Sequence, residues 1–116
     1  MFTSDREKNC IFCKLIAAGD SEFLYEDNEY VAMRDINPQA PVHLLVMPKK
    51  HISGLNDAVG AVTGPAMDLI RQLAVDMGIS ESGYRVIVNC NEDGGQTVGH
   101  LHFHLLGGRR MKWPPG

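Results

Sequence analysis

Three histidines alternate with apolar residues in one short segment of the chain, His100-Leu101-His102-Phe103-His104-Leu105-Leu106. Successive side chains of an extended chain point to opposite faces, so this pattern predicts a β-strand over His100–Leu106 with its imidazoles on one face. The apolar residues on the other face would anchor the strand against a core. Alternate side chains lie roughly 6–7 Å apart, which is close enough for neighbouring imidazoles to flank one phosphate-sized group.

The rest of the chain predicts an antiparallel sheet with one long and one short helix packed mainly on one side, the α+β class. Apolar spacing of three and four residues predicts a short helix over Cys10–Ala18 and a main helix over Thr63–Met77. Extended runs predict four further strands, of which the first two form a hairpin: Phe23–Glu26, Tyr30–Arg34, Val42–Met47 and Tyr84–Asn89.

Composition excludes several classes of protein. A chain of 116 residues with 44% hydrophobic residues is long enough for one core and predicts a single domain. No apolar run approaches the roughly 18 residues of a membrane span, and Met1–Asn9 has no apolar signal core, so we expect a cytoplasmic protein without a membrane partner. The net charge of −3 argues against polymeric nucleic acid as a partner.

The histidine row has three interpretations: a half-buried surface, a set of metal ligands, or a site for chemistry at phosphorus. An imidazole is partly protonated near neutral pH, so such a row can hold both a neutral nucleophile and a cationic donor. The preceding segment, Asn89–Thr97, contains Gly94-Gly95 and neutral hydrogen-bond donors, which suit an anion. This adjacency favours phosphorus chemistry. Asp35 could accept hydrogen bonds from vicinal sugar hydroxyls.

Three cysteines make an odd count, which argues against a disulfide framework and leaves metal binding or free thiols. Cys10 and Cys13 are three residues apart and supply half of a tetrahedral zinc site, which needs two more ligands. The alternative is a pair of reduced thiols packed in the short helix. Cys90 is most simply a buried thiol.

Several blocks outside the histidine row follow the order of a known family. They are Asp35-Ile36 with Pro38–Pro41, His43, Val46–Ile52, Asp93–Thr97, Gly107–Arg109 and Trp113–Gly116. Together with the histidine row, they make the chain resemble the histidine triad (HIT) superfamily, and within it the nucleotide-binding branch. The resemblance covers about Asn9 to Gly116 and implies a single HIT-like domain, with its core over residues 9–106 and a tail over 107–116.

The resemblance implies a homodimeric purine nucleoside phosphoramidase that cleaves the P–N bond of nucleoside 5′-monophosphoramidates. His102 matches the nucleophile, which forms a covalent nucleotidyl-histidine, and the backbone carbonyl of His100 would orient its ring. His104 matches a group that holds phosphate oxygens, and His43 matches a support placed behind His100. The implied nucleotide-binding residues are Ile11, Phe12, Leu15, Met33 and Ile36 at the base, Asp35 at the ribose, Asn89, Gly95, Gln96 and Thr97 at the phosphate, and Trp113 near the partner's site.

The same resemblance completes the zinc half-site, because His51 and His100 match the two further ligands of Cys10 and Cys13 in some bacterial members. Such a zinc would be structural, and no cofactor is required for the chemistry. Met33 stands where the family commonly has an aromatic residue, which leaves the choice between adenine and guanine open. The other hypotheses are a nucleotide-binding regulatory or scaffold protein with incidental turnover and a metal-binding module.

Overall fold

The structure, a computed structural model, describes residues 8–19 and 22–116. Its helices are α1 (Ile11–Ala18) and α2 (Gly60–Asp76), with a 3-10 turn at Leu55–Asp57. Its strands are β1 (Tyr25–Glu26), β2 (Tyr30–Arg34), β3 (Val42–Pro48), β4 (Tyr84–Ile87) and β5 (Phe103–Gly107). The expectation of no signal core falls largely on the first seven residues, which lie outside the described part. Neither α1 nor α2 is long and apolar enough to cross a membrane.

The five strands form one antiparallel sheet in the order β1-β2-β3-β5-β4, so the α+β prediction is confirmed. Strand β5 lies between β3 and β4, with Leu45 opposite His104 on one side and Ile87 opposite His104 on the other. Residues that are directly opposite each other share a face of the sheet. Leu45, His104 and Ile87 therefore form one cross-strand row, which Met33 of β2 extends.

Each face of the sheet has its own apolar cluster. One cluster joins α2, through Ala66, Ile70, Leu73 and Ala74, to Leu44, Val46, Phe103 and Leu105 of the sheet. The other joins α1, through Phe12 and Cys13, to Val31, Leu45 and Met47 on the opposite face. The expectation that the helices lie mainly on one side was wrong for α1, because β2 and β3 are apolar on both faces.

The histidine strand is shorter than predicted, since β5 begins at Phe103 and not at His100. Continued pairing with β3 would place Leu101 opposite Pro48, which has no N–H to donate. The Leu101 N–H instead donates to the Ile52 carbonyl at 2.6 Å. The predicted two-face pattern still holds for the apolar residues, because Leu101, Phe103 and Leu105 all lie in the α2 cluster.

The strand predicted over Tyr84–Asn89 is also shorter than expected, because β4 ends at Ile87. Helix α2 begins at Gly60, three residues before the predicted start. The prediction missed this start because Gly60 and Ala61 are exposed and add no apolar periodicity. Both differences concern element ends, where few buried contacts mark the boundary.

Candidate active site

The ring of His102 is fixed by one backbone hydrogen bond. Its Nδ1 lies 2.7 Å from the carbonyl oxygen of His100, and since a carbonyl only accepts, Nδ1 carries the proton. In the neutral ring, Nε2 is then unprotonated and holds a lone pair. Phe12 of α1 packs edge-on against the ring, with centroids 5.2 Å apart. The arrangement leaves His102 Nε2 with a lone pair, so this atom can act as a nucleophile.

His102 is 6% exposed, so its ring is largely covered by its neighbours. The predicted mechanism needs a phosphorus atom to reach Nε2. His104, whose ring centroid lies 5.1 Å from that of His102, is more exposed and lines a cavity of about 300 Å³. A ligand would therefore approach His102 along the surface formed by His104.

A chain of hydrogen bonds fixes the proton positions on His43 and His104. The backbone N–H of Gln39 donates to His43 Nδ1 at 3.0 Å, so His43 in its neutral form carries its proton on Nε2. That Nε2 lies 2.9 Å from His104 Nδ1 and 3.3 Å from Asp35 Oδ2. With Nδ1 accepting from His43, neutral His104 carries its own proton on Nε2. His104 is thereby prepared as a neutral donor.

The predicted place of His43 behind His100 was wrong, because His43 contacts His104. Strand register explains the difference. His43 lies opposite Leu106, which is two residues after His104 on β5 and on the same face. His100 lies beyond the other end of the strand. Asp35 was predicted at the ribose. One of its carboxylate oxygens lies 3.3 Å from His43 Nε2, and the other accepts a hydrogen bond from the Asn37 N–H at 2.8 Å.

Burial lowers the pKa of His104 to about 4, and repulsion from His102 and His43 adds to that effect, while Asp35 opposes it. Because the folded pKa lies below the unfolded value of 6.5, the unfolded chain binds a proton first as the pH falls. His104 therefore leaves stability unchanged above about pH 7.5 and lowers it progressively between pH 6.5 and pH 4. At neutral pH it is uncharged.

We expect native protein to lose about 2 kcal/mol more unfolding free energy between pH 7.5 and pH 5 than the variant His104→Gln, which has no imidazole to protonate at this position. Urea unfolding at a series of pH values, followed by circular dichroism, measures the difference. Parallel pH profiles for the two proteins would contradict the assignment.

The residues predicted to bind the base lie in three different places. Leu15, Met33 and Ile36 line one cavity of about 350 Å³ together with Phe23. Met33 belongs to the cross-strand row of His104, two strands away, which corresponds to roughly 10 Å across the sheet. Ile11 lines a different cavity, so the structure does not bring it to this one.

Phe12 is also outside that cavity. It is buried and packs edge-on against the rings of both His100 and His102. Its position fits support of the two imidazoles more directly than contact with a base.

The loop predicted to hold phosphate is stabilised by its own hydrogen bonds. The Gln96 side chain donates to the carbonyl oxygens of Ser53 and Val98 and accepts from the Asn91 N–H, at 2.7, 3.0 and 2.9 Å. The backbone N–H groups of Gly95 and Gln96 donate to Glu92 and Asn91. These donors are already used. Of the other residues predicted at the phosphate, Asn89 lines the His104 cavity, whereas the exposed Thr97 lines the same cavity as Ile11.

Gly94 has the closest backbone approach in this loop. A Cβ added there would lie 2.5 Å from the carbonyl oxygen of Cys90 and 2.7 Å from its nitrogen. We therefore expect Gly94→Ala to lower the free energy of unfolding by roughly 1–3 kcal/mol, since backbone must shift to admit the methyl group. Gly99→Ala, where a Cβ would meet nothing within 4 Å, is the matched control. Thermal unfolding of both variants checks this, and equal midpoints would contradict it.

Four predicted metal ligands converge at the start of α1. The ligand atoms of Cys10, Cys13, His51 and His100 all lie within 4.8 Å of one another. Cys13 Sγ lies 3.2 Å from His51 Nδ1 and 3.5 Å from His100 Nδ1, and Cys10 Sγ lies 3.4 Å from the same His100 atom. Tetrahedral zinc with ordinary bond lengths separates sulfur and nitrogen ligands by about 3.5 Å. The donor set and its spacing therefore fit Zn²⁺.

The other ring nitrogen of His100 supports the same conclusion. Nε2 lies 2.8 Å from the Pro48 carbonyl and donates to it, which leaves Nδ1 unprotonated and directed at the two thiols. Burial lowers the pKa of His100 to about 4, so the ring stays neutral, as a metal ligand must be. The His100 ring thus belongs to the Cys/His cluster, and only its carbonyl serves His102.

Sequence reasoning missed four contributors to this surface. Phe23 lines the apolar cavity, and the Gln39 N–H fixes the His43 tautomer. Arg85 and Arg109 line the cavity beside His104. A backbone donor has no sequence signal, whereas the alternation of Arg85 with Ile87 and Asn89 could have shown that these three side chains share a face; the register with β5 makes it the face of His104.

Comparison with known proteins identifies the family to which this chain belongs. A family model described as the HIT domain matches residues 17–111. An uncharacterized HIT-like protein of Synechococcus elongatus is 44% identical over 113 residues, which cover 94% of this chain and 98% of that protein. A 14 kDa zinc-binding protein of Zea mays is 44% identical over 112 residues, which cover 91% of this chain and 87% of the maize protein.

The crystal structure of a HIT family hydrolase from Legionella pneumophila superimposes with a TM-score of 0.89 at 46% identity, covering 93% of this chain and 100% of that chain. The chain belongs to the HIT domain family, and the predicted membership of the histidine triad superfamily is confirmed.

Proposed function

We propose that the protein is a hydrolase that cleaves the P–N bond of purine nucleoside 5′-monophosphoramidates through a nucleotidyl intermediate on His102. The observation that carries this proposal is the 2.7 Å bond from His102 Nδ1 to the His100 carbonyl, because it leaves Nε2 as a neutral nucleophile. The similarity to a Legionella HIT family hydrolase supports the reaction class.

A nucleotide would bind across the surface around His104. The apolar cavity of Leu15, Phe23, Met33 and Ile36 would take the base, and the histidine row would take the phosphate. Asp35, one residue beyond the end of β2, lies between the two regions and would face the ribose hydroxyls. The separation of roughly 10 Å between Met33 and His104 suits a ligand with an apolar ring at one end and an anion at the other.

The reaction needs two displacements. His102 Nε2 forms a bond to phosphorus as the P–N bond breaks, and the departing nitrogen takes a proton from water and leaves as an amine. His104 would donate its Nε2–H to a phosphoryl oxygen, where negative charge grows. A water molecule then attacks phosphorus and gives up a proton to the hydroxide left by the first step. The bond from phosphorus to Nε2 breaks, which releases the nucleoside monophosphate and restores the neutral ring.

Zinc held by the Cys/His cluster would tie the start of α1 to the segment that precedes β5, a structural function that leaves His102 Nε2 free. The similarity to the maize zinc-binding protein supports this part of the proposal. The proposal also includes a homodimer. Trp113 is 81% exposed in the single chain and would reach the site of a second subunit.

Steady-state hydrolysis of adenosine and guanosine 5′-phosphoramidates, with chromatographic detection of AMP and GMP, tests the proposal. Release of the monophosphate and amine in equal amounts supports it. Tight binding of AMP without turnover of either substrate would contradict it and favour a nucleotide-binding protein without catalytic function.

A further inference from the structure

We propose that Cys10 and Cys13 form an oxidisable pair, which a hydroperoxide reaches through the cavity at the start of α1 and converts to a disulfide. The disulfide removes two ligands from the Cys/His cluster and slows the chemistry at His102. The modification itself stands on the geometry of the two thiols, whereas its effect on His102 rests on the proposed function.

The two thiols differ in their access to solvent. Each cysteine is only 6% exposed, so an oxidant needs a defined route to either sulfur. Cys10 lines a cavity of about 430 Å³, and Cys13 is not among the residues that line it. This cavity is many times larger than the space that one water molecule needs, and hydrogen peroxide is little larger than water. The oxidant therefore meets Cys10 first.

The cavity wall indicates the class of oxidant. Asn9, Ser53 and Thr97 line it beside Cys10, and among the described residues those that line it carry no permanent charge. Amide and hydroxyl side chains offer neutral donors and acceptors of hydrogen bonds. These groups suit a small uncharged molecule with polar oxygens. A hydroperoxide fits that description, whereas a charged oxidant gains no ion pair in the cavity.

Cys13 lies within reach of an oxidised Cys10. Their Sγ atoms lie within 4.8 Å of each other, and the backbone N–H of Cys13 donates to Cys10 Sγ at 3.3 Å. That hydrogen bond holds Cys10 Sγ against the first turn of α1. Residues three apart in a helix have Cβ atoms about 5–6 Å apart, against roughly 3.5–4.5 Å in a disulfide. Formation of the disulfide therefore draws the first turn together.

The reaction consumes one hydroperoxide and forms one disulfide. The Cys10 thiolate attacks a peroxide oxygen, the O–O bond breaks, and the departing oxygen takes a proton from solvent. The Cys13 thiolate then attacks Cys10 Sγ and expels hydroxide, which takes a second proton and leaves as water. Each sulfur loses one electron and the peroxide gains both. Because a metal binds the thiolate form of cysteine, the disulfide no longer holds zinc.

Phe12 connects the cysteine pair to the nucleophile. It lies between the two cysteines in the sequence and packs edge-on against the rings of His100 and His102, with centroids 5.9 and 5.2 Å apart. His100 Nδ1 faces the same two thiols, and the His100 carbonyl accepts the hydrogen bond that orients His102. Closure of the disulfide disturbs both supports of the His102 ring. Oxidation therefore lowers kcat.

The test adds hydrogen peroxide to reduced, zinc-loaded native protein and then blocks remaining thiols under denaturing conditions. We expect peptide mapping to show a Cys10–Cys13 disulfide, and a metal-sensitive dye to show one zinc released per disulfide. In parallel, kcat for phosphoramidate hydrolysis should fall about tenfold or more, because a small misplacement of a reacting group is costly. Dithiothreitol with zinc should restore it.

Substitutions separate the roles of the two sulfurs. Cys13→Ser keeps the thiol that lines the cavity and removes its partner, so oxidation should stop at a sulfenic acid on Cys10, which dimedone labels. In Cys10→Ser, the remaining Cys13 should stay unlabelled at the same dose. Cys90→Ser is the matched control, since Cys90 lies outside the Cys/His cluster, and its disulfide, zinc release and loss of kcat should equal those of native protein.

Native protein alone can overturn the proposal, whether or not the variants fold. Absence of the Cys10–Cys13 disulfide at peroxide doses that oxidise a CxxC peptide in solution would overturn it. So would a disulfide that leaves kcat unchanged, or a loss of kcat that dithiothreitol with zinc does not reverse, since methionine sulfoxide resists thiols. Failure of reduced native protein to hydrolyse any phosphoramidate would instead overturn the proposed function, while peptide mapping and zinc release still decide the modification.

Discussion

His102→Ala is expected to lower kcat for phosphoramidate hydrolysis by roughly 10⁴-fold or more, since it removes the atom that bonds to phosphorus. AMP binding should persist, because the base-binding cavity and the His104 ring both remain when the His102 ring is removed. Steady-state kinetics and isothermal titration with AMP measure the two effects. Loss of turnover with retained binding distinguishes catalysis from structural damage.

A second variant separates the nucleophile from its support. His102→Asn keeps a side-chain donor that can reach the His100 carbonyl but has no ring nitrogen to attack phosphorus. We expect it to be as inactive as His102→Ala and to unfold closer to native protein. Turnover within tenfold of native in either variant would disprove the nucleophile assignment.

Cys13→Ser is expected to abolish stoichiometric zinc binding, because Cys13 Sγ lies within 3.5 Å of both histidine ligands. Structural zinc that binds only the folded chain stabilises it, by about 3 kcal/mol when free zinc exceeds its dissociation constant a hundredfold. The variant should lose at least that stabilisation. Elemental analysis and thermal unfolding, with and without a chelator, measure both quantities.

Cys90→Ser is the matched control, since Cys90 is a partly buried thiol outside the Cys/His cluster. It should bind one zinc per chain and respond to the chelator as native protein does. A native protein that contains no zinc after preparation in zinc-supplemented buffer, or a Cys13→Ser variant as stable as native, would contradict the structural zinc site.

Much of the fold could be predicted from local sequence patterns. The alternation around His104 and in β4 indicated which residues face the core, because strand faces follow directly from a period of two. The placement of α1 on the face opposite α2 could not be predicted, since Val31, Leu45 and Met47 belong to strands that are apolar on both sides. A continuous apolar run gives no sign of which helix covers it.

Only part of the candidate site could be predicted from the sequence. The His102 ring and the four converging zinc ligands follow from motifs, and the spacing of their atoms fits those motifs. The contact of His43 with His104 depends on the register between β3 and β5, which no local pattern encodes. The Gln96 amide, expected at phosphate, bonds to backbone carbonyls of Ser53 and Val98, because the loop needs those contacts to close.

His100 connects the two halves of the site. Its ring Nδ1 faces the thiols of Cys10 and Cys13, and its carbonyl accepts a hydrogen bond from His102 Nδ1–H. Phe12, between the two cysteines in sequence, packs against both rings. The start of α1 therefore contacts both the His102 ring and the Cys/His cluster.

Intact-mass measurement of native protein mixed with adenosine phosphoramidate and quenched within one turnover in alkaline denaturant, where a P–N bond to imidazole is stable, tests the central proposal most directly. The proposal predicts a mass increase of one adenylyl group, which peptide mapping locates on His102 and which is missing in His102→Asn. Hydrolysis without any adduct under single-turnover conditions, or an adduct on a residue other than His102, would contradict it.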